Sequence, residues 1–184
     1  MDRIKSALEI AMEKADRLGK ASAEELREMK EAEDASLGEA IAKRYLRGEL
    51  GSKQLDTEIK KLQSNRDIVV GTVIGEIMGS LQPTDPDRAI EAIVVLIEDK
   101  EKAKETVEEL KSLCREHTSR RERIYAELKE KIEQPMRQEL SRLGISGSAI
   151  QIGVESNPQW LQAKEELNAQ FQRRLNEIKG RLLS

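Results

Sequence analysis

Apolar residues recur along this chain at intervals of three and four, the period that gathers them on one face of a helix. In the first segment Ile4, Leu8, Ala11, Ala15 and Leu18 form such a row, closed by Gly19. Ser22 and Glu25 then stand at the spacing of a capping box, in which each side chain satisfies a free backbone N–H of the other residue, so that a second helix begins there. The alternative is one continuous helix, because Ser22, Leu26, Met29, Glu33, Leu37 and Ala40 nearly extend the first row. Either way the segment is helical to about Arg47. Gly48 and Gly51 bracket a short turn, and Ser52 is suited to cap a helix carrying Leu55, Ile59 and Leu62.

The next stretch, from Ile68 to Gly79, places Gly71, Gly75 and Gly79 four residues apart. Glycines at this spacing stack on one helical face and let another backbone approach closely. Tight helix packing is therefore the expected use of the stripe. A conformational hinge and a buried β segment are the alternatives, since Val and Ile are frequent here and glycine costs a helix about 1 kcal/mol per site. Neither phosphate-loop nor dinucleotide spacing is present.

Asp85 and Pro86 open the longest element, with Asp85 as cap and Pro86 in the first helical position. The pattern predicts one helix over residues 86–143. Its first turns (Ile90, Ile93, Val94, Val95, Leu96, Ile97) are apolar on nearly all sides, the row thins to Ala103, Val107, Leu110 and Cys114, and it strengthens again at Ile124, Leu128, Ile132 and Met136. Pairs such as Glu98 with Lys102 and Glu127 with Lys131 stabilise an exposed helix by roughly 0.2–0.5 kcal/mol each. Pro135 is expected to kink it.

Gly144 suits a left-handed helix stop, residues 144–157 form a linker, and Asn157 with Pro158 starts a last helix to about residue 183. There Leu161, Lys164, Asn168, Phe171, Leu175, Ile178 and Leu182 alternate by three and four. So short a link predicts antiparallel return. Counting back at equal rise sets Pro158 beside Leu143 and Leu182 beside Ser119. The last helix then leaves the stretch from Ile90 to Leu113 in need of another partner; the N-terminal helices of the same chain are one candidate, but they must also cover residues 68–81, so Val94, Ile97, Val107 and Leu110 become the candidate self-association surface.

Charge and composition narrow the function. Of 184 residues, 38% are hydrophobic and 2% aromatic while 36% are charged, so the core is thin. A net charge of -3 excludes the strongly basic balance of a general nucleic-acid coat protein. One cysteine, Cys114, precludes an intrachain disulfide and fits a reducing cytoplasm. The N-terminus lacks the apolar core of a secretory signal, and the most apolar run, residues 68–81, falls short of the roughly 20 residues of a membrane span.

Cys114 and His117 share a helical face, but zinc requires three or four ligands and the chain has a single histidine. That single histidine also excludes a di-iron bundle, and no nucleophile motif accompanies it. No catalytic residue, metal ligand or cofactor is expected. Arg115, Arg120, Arg121 and Arg123, joined across the hairpin by Arg174, Lys179 and Arg181, form the candidate patch for an anionic partner, although Glu116, Glu122 and Glu177 lie in the same neighbourhood. Trp160 is expected to anchor the hairpin tip.

The expected architecture is all-α: an N-terminal helical region over residues 1–81 with its glycine-striped segment, packed with a long antiparallel, coiled-coil-like helical hairpin over residues 86–184. The expected function is a non-enzymatic cytoplasmic assembly or adaptor protein, acting through a second copy of itself or another protein and not through a membrane. A nucleic-acid or ribosome-associated factor using the basic patch is the alternative. A small-ligand or enzymatic helical domain built on the glycine stripe is the third reading.

Overall fold

The computed structural model describes residues 22–62, 65–144 and 153–183. The expected helix over the first twenty residues and the conformation of residues 145–152 lie outside them. The protein is all-α. Six helices follow one another: α1 (Ala23–Leu46), α2 (Ser52–Lys60), α3 (Arg66–Gly79), α4 (Asp87–Leu96), α5 (Lys100–Arg142) and α6 (Pro158–Leu183). Among the described residues no strand forms, and only a single bridge pairs Gln82 with Asp85.

The capping box at the start of α1 is complete. Ser22 Oγ accepts from the Glu25 N–H at 3.1 Å, and the Glu25 carboxylate accepts from the Ser22 N–H at 2.6 Å. At the other end Gly48 takes φ +85, the left-handed conformation that stops a helix without a Cβ penalty. Gly51 precedes α2 as its cap in place of Ser52, and the Gln54 side chain accepts from the Gly51 N–H at 2.8 Å. The Val- and Ile-rich glycine segment is helical throughout, because Val69, Val73, Ile74, Ile77 and Met78 bury one broad face that outweighs its poor propensity.

The first departure from expectation is a break in the long helix. Residues 86–143 form two helices: Ile97 is extended (φ -88, ψ 118), and Asp99 caps α5 by accepting from the Glu101 and Lys102 N–H groups at 2.9 and 3.1 Å. Asp is among the best N-cap residues, and its carboxylate also favours the positive end of the following helix dipole. The 43 residues of α5 at about 1.5 Å each make a rod of roughly 65 Å. It continues through Pro135.

The core lies at one end of that rod. Tyr45, Leu55, Ile59, Ile77, Met78, Ile93, Leu110 and Leu175 are fully buried there, drawn from all six helices. α1 runs along α3, α2 crosses to α4, and α6 packs on both α5 and α3. Among the described glycines the tightest surroundings are those of Gly38 of α1, where a Cβ would stand 2.7 Å from Thr72 Cβ and 2.8 Å from the Val69 carbonyl oxygen. Glycine is required there by another element, not by the turn chemistry of its own.

Candidate functional site

The only histidine and the only cysteine stand on one face of α5, within the hairpin that α5 and α6 form. His117 Nε2 lies 3.1 Å from Asn168 Oδ1, its ring meets Phe171 edge-on at 5.2 Å, and it is nine-tenths buried. Its Nδ1 is buried with no hydrogen-bond partner among the described residues. The adjoining cavity, lined by Leu113, Leu167, Gln170 and Phe171 and rimmed by Glu116, Arg120 and Arg174, measures about 40 Å³, room for a water-sized group only. Cys114, three residues before His117 on α5, is buried, and burial pushes its thiol up to about 11. A neutral thiol is a poor metal ligand and a poor nucleophile. Among the described residues no three of His, Cys, Asp and Glu converge as a metal-ligand set.

Contacts across the hairpin define its register. Arg181 pairs with Glu109 at 2.6 Å, Arg174 with Glu116 at 2.6 Å, Arg120 donates to Gln170 at 3.0 Å, and Tyr125 meets Trp160 edge-on at 5.1 Å. Extrapolated along the helices, Pro158 is level with the turn around Glu130, where equal rise from the linker expects Leu143. The offset is about 13 residues, or roughly 20 Å. Pairing by equal rise fails because it assumes that α6 starts where α5 ends, whereas α6 sits where Phe171, Leu175 and Ile178 find the apolar residues of α3 and of the first half of α5.

This shift corrects the self-association surface. Val107 is 7% exposed and Leu110 fully buried, both inside the same chain's core, and Ile97 is partly covered; of the four only Val94, at 55%, faces solvent. The C-terminal half of α6 and helix α3 cover the stretch that equal rise leaves bare. The glycine stripe is corrected in the same way. Gly71 faces Leu183 at 3.7 Å and Gly75 faces the end of Lys179 at 3.3 Å, so flexible side chains rather than a helix backbone lie on it, and a Cβ at Gly79 would meet nothing within 4 Å. Between α3 and α6 an open groove of about 710 Å³ results, with Lys179 Nζ donating to the Gly75 carbonyl at 3.2 Å.

The candidate anionic-partner patch is only partly assembled. Arg120, Arg174 and Arg181 are turned to Gln170, Glu116 and Glu109 respectively across the hairpin, Lys179 is turned to α3, and Arg115 Nε donates to its own helix at the Lys111 carbonyl. Arg121 lies 5.9 Å over the Trp160 ring, and Arg123 is exposed. Carboxylates that alternate with these cations remove the continuous positive field on which phosphate binding depends. Trp160 is buried as an anchor, but beside Tyr125 and not at the end of the long helix. The Tyr125 hydroxyl donates to Glu155 at 2.7 Å; that bond raises the Tyr125 pKa and holds the Glu155 carboxyl below its usual value.

Beyond Tyr125 the character of α5 changes. Among the described residues, every side-chain hydrogen bond and ion pair it makes there stays within the helix: Gln134 with Glu130, Lys129 and Arg137 with Glu133, and Arg142 with Glu139. Ile132, Met136, Leu140 and Leu143 follow at intervals of four, four and three, Ile132 and Leu140 half-buried, Met136 46% and Leu143 65% exposed. This projecting arm carries the most conspicuous apolar row of the hairpin that α6 leaves uncovered. The sequence shows the row, but locating the part of it that α6 does not reach requires the register.

The chain belongs to the family of unknown function DUF6657, whose model matches residues 81–184, the span of α4, α5 and α6. No curated protein and no solved structure matches the chain. No described helix is long and apolar enough to cross a membrane.

Proposed function

We propose that this member of the family is a non-enzymatic helical assembly or adaptor protein of the cytoplasm, and that it engages a protein partner, another copy or a different chain, through the arm of α5 beyond Tyr125. The observation that carries the reading is the arm itself: a helix packed on α6 up to the Tyr125–Trp160 contact and carrying beyond it Ile132, Met136, Leu140 and Leu143 at coiled-coil-like spacing. Helix-in-groove and helix-on-helix recognition both use a row of this spacing. Charges of both signs flank it (Lys129, Glu130, Lys131, Glu133, Arg137, Glu139), which suits selective pairing with a second charged helix better than adhesion to a polyanion. A nucleic-acid role draws no comparable support, since Arg120 and Arg174 already face partners across the hairpin.

The test places a photo-crosslinking residue at Met136 or, as a control, at the solvent-facing Arg173 of α6, in the full chain in its native cell. The expected result is one defined protein adduct from position 136 and none of that mass from position 173. Equal, diffuse adducts from both positions, or none, would overturn the proposal.

A further inference from the structure

The row on the arm of α5 is the far part of a face that the same chain covers nearer the core. Val107, Tyr125 and Leu143 follow one another at about five whole turns, as do Cys114 and Ile132, so all of them share one side of the helix. Val107 and Cys114 are buried and Tyr125 lies against Trp160, whereas Met136 is 46% and Leu143 65% exposed. α6 starts level with the turn around Glu130, and α5 ends at Arg142. Met136 is the midpoint of the length between those two levels.

We propose that this length pairs antiparallel with its counterpart in a second copy of the chain, with Met136 on the two-fold axis. The inference rests on the reading of the arm as a protein-binding element and names its partner.

Under that symmetry, positions equally far before and after Met136 stand opposite each other. Ile132 meets Leu140 of the second copy, Met136 meets Met136, and Leu143 meets the aliphatic stem of Lys129. The one register that overlaps the two arms fully thus gives every member of the row an apolar surface. Charge agrees with it. Glu133 and Arg137 stand on the same flank of the row, and in an antiparallel pair like flanks adjoin, so each Glu133 comes within about 3 Å along the axis of the other copy's Arg137. Within one helix the same two side chains meet only at 3.4 Å, and the Arg137 side chain is 73% exposed and able to turn. A parallel pair is opposed by the covered part of the face, because it would set two Tyr125 side chains together where Trp160 already packs. An interface of this length falls below the roughly 1,200 Å² of standard complexes, so the dimer is expected to dissociate on dilution.

The experiment introduces Met136→Cys into the full chain and follows its oxidation by dissolved oxygen. Cys114 does not compete, being buried with its thiol pushed up to about 11. A cysteine on the two-fold axis faces its own copy, so a disulfide-linked dimer is expected at least about tenfold faster than from Gln138→Cys on the opposite side of the arm. Light scattering of the unmodified chain is expected to show a mass that rises from one chain towards two with concentration. Glu133→Arg is expected to weaken this association at least about fivefold by opposing like charges, and Glu133→Arg with Arg137→Glu to restore it. Equal oxidation rates at positions 136 and 138, a one-chain mass at every concentration, or a double variant no better than the single one would each overturn the inference. A one-chain mass together with a defined adduct to a different protein from position 136 would overturn the dimer alone and leave the adaptor reading standing.

Discussion

The side chains of Tyr45 and Arg88 are each bound to the other's backbone. The Tyr45 hydroxyl donates to the Arg88 carbonyl at 2.7 Å, the Arg88 guanidinium donates to the Tyr45 carbonyl and to that of Leu50 at 3.2 Å, and its Cζ lies 4.8 Å from the Tyr45 ring centroid. The arginine gives the Tyr45 carbonyl, which already accepts from the Gly48 N–H at 3.0 Å, a second donor and reaches the Leu50 carbonyl beyond the end of α1, and so joins the N-terminal helices to α4 at the foot of the hairpin.

Tyr45→Phe keeps the buried ring and removes one hydrogen bond, so it is expected to cost about 0.5–1.5 kcal/mol, and Arg88→Ala, which removes two hydrogen bonds from a charged donor, about 1.5–3 kcal/mol. Urea unfolding of the two variants measures both. An Arg88→Ala midpoint equal to wild type would show that the latch contributes nothing.

The glycines of α1 and α3 are expected to respond in opposite senses to alanine. At Gly38 the added Cβ meets the Val69 carbonyl at 2.8 Å, and a backbone atom cannot swing aside as a side chain does. Overpacking of this kind costs about 1–3 kcal/mol, more than the roughly 1 kcal/mol gained in helix propensity. At Gly79, where a Cβ meets nothing within 4 Å, only the propensity gain remains. Thermal melts are expected to fall for Gly38→Ala and to rise or hold for Gly79→Ala. Gly75→Ala, which displaces only the end of Lys179, is expected to change little.

Alkali is expected to destabilise the protein through Cys114. Its folded pKa of about 11 lies above the usual thiol value of about 8.5, so folding favours the protonated form. The stability this confers is fully present below about pH 8.5 and is lost as pH rises towards 11. Burial also raises Tyr45, reinforced by Glu91 and opposed by Arg88, and adds a loss of the same sign at higher pH. Urea midpoints from pH 8 to 11 are expected to fall less in Cys114→Ser than in wild type; parallel curves would exclude the thiol as a source.

At acid pH the informative pair is Tyr125 and Glu155. The hydrogen bond depresses the Glu155 pKa, so its contribution exists above the ordinary glutamate value of about 4.3 and disappears as pH falls through the lower folded value. Carboxyl NMR titration is expected to place the Glu155 midpoint below that value, and to return it towards about 4.3 in Tyr125→Phe.

Local signals were legible in the chain and the structure contains them. The capping box of Ser22 and Glu25, the left-handed Gly144 and the start of α6 at Asn157 and Pro158 depend on residues within one turn of each other, and so does the helical period of each segment. The all-α class follows from these alone. The break at residues 97–99 was also written locally, in Asp99, but the apolar residues on either side of it, Ile93 to Ile97 and then Ala103 and Val107, mask it.

Tertiary structure decided what each apolar row faces. Val107 and Leu110 read as bare and are buried, Met136 and Leu143 read as covered and are exposed, and both reversals follow from one 20 Å or so displacement of α6 along α5. A helical row repeats every three or four residues and therefore fits its partner in several registers of similar local quality. The choice among them is made by the sum of distant contacts, here Phe171, Leu175 and Ile178 with the α3 and α5 core. In the same way Gly38, unremarkable in sequence, is required by α3, while the regular stripe of Gly71, Gly75 and Gly79 receives no backbone at all. Periodicity specifies a face, and only the packed chain specifies what lies against it.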